Sequence, residues 1–160
     1  MTDGDNASER QARLERFATG FAAVADALDG ADDDDLDRRG PAGEWSARET
    51  AHHLADSESM AYVRLRRLIA EDEPVIAGYD EPEWARRLHY ERPIETSLEV
   101  LQAVRGASQQ LLMALTPDEW QRRGTHSDSG EYSVDDWLEI YSEHSHEHAD
   151  QISRARRGED

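Results

Sequence analysis

The sequence predicts an all-α protein: a four-helix bundle with a short extra helix in the connection between its second and third long helices. Three observations lead there. Four long stretches carry apolar residues at three- and four-residue intervals, no alternating strand pattern appears, and two similar loops each precede a helix that bears histidines.

The first helix is expected from about Ser8 to Leu28, with Phe17, Phe21, Val24 and Leu28 spaced four, three and four apart. Residues 1–7 are expected to form a disordered tail. The acidic run Asp32–Asp35 and the segment Gly40-Pro41-Ala42-Gly43 then read as a loop, with the aspartates simply solvated. The second helix opens at Ser46-Ala47-Arg48-Glu49, a capping box in which serine takes an orphan amide and glutamate returns the bond. It carries Leu54, Ala61, Leu65 and Leu68 and runs to about Ile69. Pro74, Gly78 and Pro82 mark a long connection with a short helix around Trp84.

The third long helix is expected over roughly Glu95 to Leu115, with Leu98, Leu101, Val104, Leu111, Leu112 and Leu115 facing inward. Thr116-Pro117-Asp118-Glu119 reads as a fresh one-turn start, threonine capping and proline at the first position. Ser133 caps the fourth helix, which runs to about Arg156; Arg154, Arg156 and Arg157 suit the negative end of its dipole. The echo pairs Arg38-Arg39-Gly40 and Gly43-Glu44-Trp45-Ser46 with Arg122-Arg123-Gly124 and Gly130-Glu131-Tyr132-Ser133. Two helix pairs related by pseudo-symmetry would set the second and fourth helices against a common site.

A chain of 160 residues reads as one domain, 1–160. It has no cysteine, so disulfides, thiolate ligands and a cysteine nucleophile are excluded, and metal ligation falls to histidine and carboxylates. No apolar run approaches the roughly 20 residues of a membrane span, and the acidic N-terminus is unlike a signal peptide. A cytoplasmic protein is expected. The net charge is −18 and every basic residue is arginine, a balance that repels phosphate backbones and anionic lipid. Nucleic acid and membrane are therefore not expected as partners; a small-molecule substrate is, and a homodimer is one assembly such a bundle admits. The missing lysine has two readings, a GC-rich genome or adaptation to high salt.

Five of the seven histidines fall in two helical clusters: His52-His53, and His144, His146 and His148. At about 100° per residue, His148 lies about 40° from His144 while His146 points to the opposite side. Trp137, Ile140, Tyr141, Gln151, Ile152 and Ala155 fall within about 80° of His144, so the pair sits in the inward stripe. Two imidazoles one turn apart on such a face suit a divalent metal, with a third ligand supplied from elsewhere. His146-Glu147-His148 lacks the zincin spacing, which excludes that protease type. Helical geometry does not choose between His52 and His53.

The stretch Trp45-Ser46-Ala47-Arg48-Glu49-Thr50-Ala51-His52-His53-Leu54-Ala55-Asp56-Ser57 resembles the second helix of the DinB-like superfamily, in particular its YfiT-like branch. Tyr79-Asp80-Glu81 with Trp84, Pro93 with Ser97-Leu98, and Tyr141 leading into His144-Ser145-His146-Glu147-His148 extend the similarity over roughly Leu28 to Ala155. The resemblance implies a zinc or nickel ion on three histidines. One directly precedes the leucine of helix two, here His53; the others form a His-x-x-x-His pair, here His144 and His148. It implies either a metal-dependent hydrolase or a transferase joining a low-molecular-weight thiol to an electrophile, as in bacillithiol transferases. The chain departs from that pattern where Glu147, Asp150 and Gln151 replace further histidines of the last helix, and where Val104-Arg105 replaces one in the third.

Three neutral histidines leave coordination positions open, as catalytic sites do. The leading expectation is therefore transfer of an external thiol; the second is hydrolysis of a small amide or ester, and the third a non-catalytic bundle stabilised by its metal. The catalytic candidates are Tyr141, which would shape the pocket, Asp56, which either orients a ligand imidazole or caps a polar face, and Glu147, a general base or a solvated acid.

Overall fold

The computed structural model describes residues 3–40 and 43–158, with side chains from Ala7 onward. Four long helices dominate: α1 (Asp3–Leu28), α3 (Ala47–Ala70), α5 (Glu95–Ala114) and α7 (Val134–Arg157). Between them lie the short helices α2 (Asp33–Asp37), α4 (Glu81–Arg87) and α6 (Pro117–Trp120), and the strands β1 (Val75–Ile76), β2 (Arg123–His126) and β3 (Gly130–Ser133). The helix α4 around Trp84 and the Thr116-capped turn α6 stand where the sequence places them.

Both histidine-bearing helices start at reciprocal caps. Ser46 Oγ accepts from the Glu49 amide at 3.2 Å, and Glu49 Oε2 accepts from the Ser46 amide at 2.9 Å. At α7, Ser133 Oγ accepts from the Asp136 amide at 3.1 Å, and Asp136 Oδ2 accepts from the Ser133 amide at 2.8 Å. These caps fix the phase in which each helix presents its histidines. α7 ends at Gly158, whose φ of 62° suits glycine in the left-handed cap.

Three features differ from the sequence expectation. α1 already begins at Asp3 rather than after a seven-residue tail; Met1 and Thr2 lie outside the described residues. Its early turns are held by Arg10, which donates from Nε and Nη2 to the Asp135 carboxylate at 2.7 and 2.6 Å. The acidic run is not a plain loop but the helix α2. Asp32 caps it by accepting from the Asp35 amide at 2.9 Å, three aspartates sit at the positive end of its dipole, and Leu36 is buried. Arg48 then gathers Asp33 at 2.8 Å and Asp37 at 2.6 Å, so two of these acids have a partner fifteen and eleven residues away.

The third difference is a small three-stranded sheet of order β1-β2-β3, parallel between β1 and β2 and antiparallel between β2 and β3. Strands of two to four residues are too short to register as alternation. Gly124 is required here: a Cβ on it would stand 2.3 Å from the Pro74 carbonyl oxygen, which accepts the Thr125 amide at 2.9 Å. The second of the two echoing loops is thus a hairpin, while the described residues of the first, 38–40 and 43–46, form no strand; Pro41 and Ala42 of the expected loop lie outside the described residues.

α1 packs along α7, and α3 packs against both α5 and α7. Two buried clusters result. One gathers Phe17, Leu65, Leu68, Leu112, Trp137 and Leu138; the other gathers Val24, Leu54, Leu101 and Ile152. The histidines stand between them on α3 and α7, at a level where the bundle also buries charge. Ile140, expected inside, is 50% exposed, because that side of α7 meets an open cleft there rather than another helix.

Candidate metal centre

His53 comes from α3, and His144 and His148 come from consecutive turns of α7. Each offers a ring nitrogen, and these three atoms lie within 4.8 Å of one another. The ring centres are 4.8 Å apart for His53 and His148, 5.6 Å for His53 and His144, and 4.7 Å for His144 and His148. His53 is 2% exposed, and Trp45 covers it at 4.6 Å between ring centres. Burial, followed by its two histidine neighbours, pushes the His53 imidazole down to about 3; burial, then His144, pushes His148 down to about 4. Both rings are therefore neutral at physiological pH, the form that ligates a metal.

The outer nitrogens of the α7 pair are held. His148 Nδ1 donates to Gln151 Oε1 at 2.7 Å, which leaves its Nε2 lone pair directed away from that bond. His144 Nδ1 lies 3.3 Å from Glu58 Oε1. Glu58, 2% exposed, accepts in turn from Arg105 Nη1 at 2.5 Å and Ser145 Oγ at 3.3 Å. Arg105, 4% exposed, also donates from Nη2 to the Phe17 carbonyl at 2.7 Å. A carboxylate behind a histidine fixes ring orientation and raises ligand basicity, so this buried pair is the outer layer of the centre. The donor set fits a divalent ion: three imidazoles, two of them oriented from behind, all within reach of one point.

The neighbouring histidines are otherwise engaged. His52 is fully buried, with Nδ1 2.8 Å from Ser97 Oγ and Nε2 2.9 Å from the Arg92 carbonyl, so neither nitrogen is free. His146 points to the opposite side and bonds the Arg16 carbonyl at 2.9 Å. Asp56 Oδ2 accepts from the Tyr90 hydroxyl at 2.7 Å, and Tyr90 packs on His52. Glu147 is exposed. Tyr141 is buried, with its ring centre 5.7 Å from that of His144, and Arg64 donates to its hydroxyl at 3.1 Å. Trp137 is core, its indole N–H donating to the Ala61 carbonyl at 2.9 Å.

Glu58 and Arg105 were the residues that spacing could have revealed. Leu54, Glu58, Ala61 and Leu65 run four, three and four apart, as do Leu101, Arg105, Ser108 and Leu112. One charge stands in each apolar stripe, and a buried charge calls for a partner.

Compared with known proteins, residues 16–152 match the model of the DinB superfamily. A protein of Oceanobacillus iheyensis, OB0782, is 40% identical over 118 residues, which are 74% of this chain and 69% of that protein. BH0277 of Halalkalibacterium halodurans is 32% identical over 111 residues, 69% of this chain and 65% of that protein. Both bear the name "Putative metal-dependent hydrolase". The solved structure of YfiT from Bacillus subtilis, described as a probable metal-dependent hydrolase with an unusual four-helix bundle topology, superposes with a TM-score of 0.87 at 27% identity, covering 98% of this chain and 89% of that one.

Proposed function

The chain belongs to the DinB superfamily, and from that premise we propose that it is a metal-dependent enzyme acting on a small molecule at His53, His144 and His148. The observation that carries this reading is the convergence of three imidazoles, two of them backed by fixed partners. A divalent ion held there, zinc or nickel as the resemblance implies, would supply Lewis acidity that favours the deprotonated form of a bound thiol or water. The chain's own residues do the rest. Glu58 and Gln151 hold two rings in one tautomer and orientation, Trp45 excludes water from His53, and Tyr141 forms a wall beside His144.

The finer reading is transfer of an external low-molecular-weight thiol to an electrophile. A thiol ionises near neutrality and needs little help from a base, whereas attack by water gains from one. Here Glu58 is tied to Arg105, Asp56 to Tyr90, and Glu147 is turned to solvent. Glu81, exposed on the wall of the cleft that His144 also lines, is the acid left to assist water, and that thin supply of carboxylates favours the thiol. The names of the relatives favour the second reading, metal-dependent hydrolysis of a small ester or amide, at the same three histidines. Incubating zinc- or nickel-loaded protein with a panel of cellular thiols and monochlorobimane, beside a panel of small esters and amides, separates the two. Conjugate formation that His148→Ala abolishes supports transfer; cleavage without conjugation supports hydrolysis; neither activity in either panel contradicts the enzymatic reading.

A further inference from the structure

A cleft of about 220 Å3 opens beside the histidine cluster, walled by Ser57, Arg64, Tyr141 and His144, with the exposed residues Glu81 and Ile140 also lining it. Arg64 follows His53 on α3 by eleven residues, about three turns, so both side chains leave the helix on nearly the same side. Its guanidinium donates from Nη1 to the Tyr141 hydroxyl at 3.1 Å and from Nη2 to the Ala77 carbonyl at 2.9 Å. Both acceptors are neutral. Among the described residues no carboxylate lies within the 4.0 Å of an ion pair, Glu81 included.

Arg64 Nε is buried and has no hydrogen-bond partner among the described residues, and the buried hydroxyl of its neighbour Tyr79 has Ser57 alone to turn to. The Tyr79 ring centre stands 5.8 Å from the Arg64 guanidinium carbon. Native structures rarely leave such groups unsatisfied outside functional sites. The contrast with Arg105 sharpens the point. That guanidinium, on the other side of Tyr141, is neutralised by Glu58, whereas Arg64 keeps its charge uncompensated at the wall of a cleft in a chain of net charge −18.

We propose that this cleft is a carboxylate subsite, in which Arg64 receives the carboxylate of the small molecule whose reacting group meets the His53, His144 and His148 centre. The planar guanidinium matches a carboxylate in charge and geometry, and its bonds to Tyr141 and Ala77 hold it in place before the ligand arrives. The substrate class is thus a small organic acid, a carboxylated thiol or a carboxylated electrophile, and this assignment rests on the reading of the three histidines as a metal site.

The test uses thiols as probes. Cobalt-loaded protein is titrated with mercaptoacetate, 3-mercaptopropionate and 4-mercaptobutyrate, each beside the neutral mercapto-alcohol of the same length, and the near-ultraviolet sulfur-to-cobalt band is followed. At the favoured chain length the acid binds at least about tenfold more tightly than its alcohol. Arg64→Met brings the two within about twofold, and Arg64→Lys restores part of the preference. Equal affinities for acid and alcohol, or a preference that survives Arg64→Met, overturn the subsite while leaving the metal reading intact. If the protein takes up no cobalt, the metal reading fails instead, and the subsite is judged on metal-free protein by the Arg64 Nε–H resonance. A shift with 3-mercaptopropionate that 3-mercapto-1-propanol does not produce sustains it; no shift, or the same shift with both, overturns it.

Discussion

His52 and His53 are adjacent on one helix and buried alike, yet their nitrogens meet different surroundings. Both nitrogens of His52 are committed to Ser97 and Arg92, while His53 faces the α7 pair. His53→Ala, His144→Ala and His148→Ala are each expected to abolish tight metal binding, whereas His52→Ala and His146→Ala keep most of it; competition with a chelating dye measures this. Loss of metal in His52→Ala with retention in His53→Ala would contradict the assignment. Periodicity alone could not make that choice, because the two residues lie at nearly equal angles from the apolar centre of the helix; the resemblance of the flanking residues made it. Arg105→Ala leaves the buried Glu58 without its ion-pair partner and is expected to cost about 3–5 kcal/mol in denaturant unfolding. The depressed protonation of His53 and His148 sets a pH dependence as well. In the folded, metal-free protein these rings stay neutral, while in the unfolded chain they take up protons below about pH 6.5. The unfolded state then binds more protons, so stability falls as pH drops from about 6.5 toward 4 and is indifferent to this pair above that window. Melting curves of metal-free protein across pH 7.5 to 4.5 should show the fall, and His53→Gln/His148→Gln should flatten it.

At the scale of elements, the long helices were legible because their signals are local: apolar spacing within each stretch and a capping serine at Ser46 and Ser133. What escaped was built from non-local partners. The helix α2 depends on Arg48 to receive its acids, and the strand β1 exists only because Gly124 lets the Pro74 carbonyl approach. Gly124→Ala is therefore expected to destabilise the protein by about 1–3 kcal/mol, the range of an overpacked contact, with Tm as the readout. An unchanged Tm would mean that the sheet contributes nothing to holding the α3–α4 connection. Gly20 plays the corresponding role between helices, since a Cβ there would stand 2.5 Å from Arg105 Nη2 and 3.0 Å from Ser145 Cβ. The close approach of α1 to the Arg105 and Glu58 pair thus depends on a residue without a side chain.

Across the whole molecule, net charge and metal chemistry make separate demands. Ion pairs such as Arg10 with Asp135 and Arg16 with Glu143 tie α1 to α7, but 36 acids against 18 bases leave an excess that repels itself. Exposed pairs contribute roughly 0–1 kcal/mol each, so screening should relieve more repulsion than it removes attraction. Tm is expected to rise between low salt and 1 M KCl, and a steady fall would contradict this. The fold class and the inward pair His144 and His148 were legible because helical periodicity and histidine spacing are both short-range, whereas His53 was reached through the resemblance; the Arg64 cleft was not legible, since it joins α3, α4 and α7 through their packing. The central claim is that the bundle brings three histidines together to hold a metal. Elemental analysis of untagged protein after exposure to zinc or nickel tests it most directly. About one ion per chain is predicted, with none retained by His144→Ala; less than about a tenth of an equivalent in the unmodified protein would contradict the account.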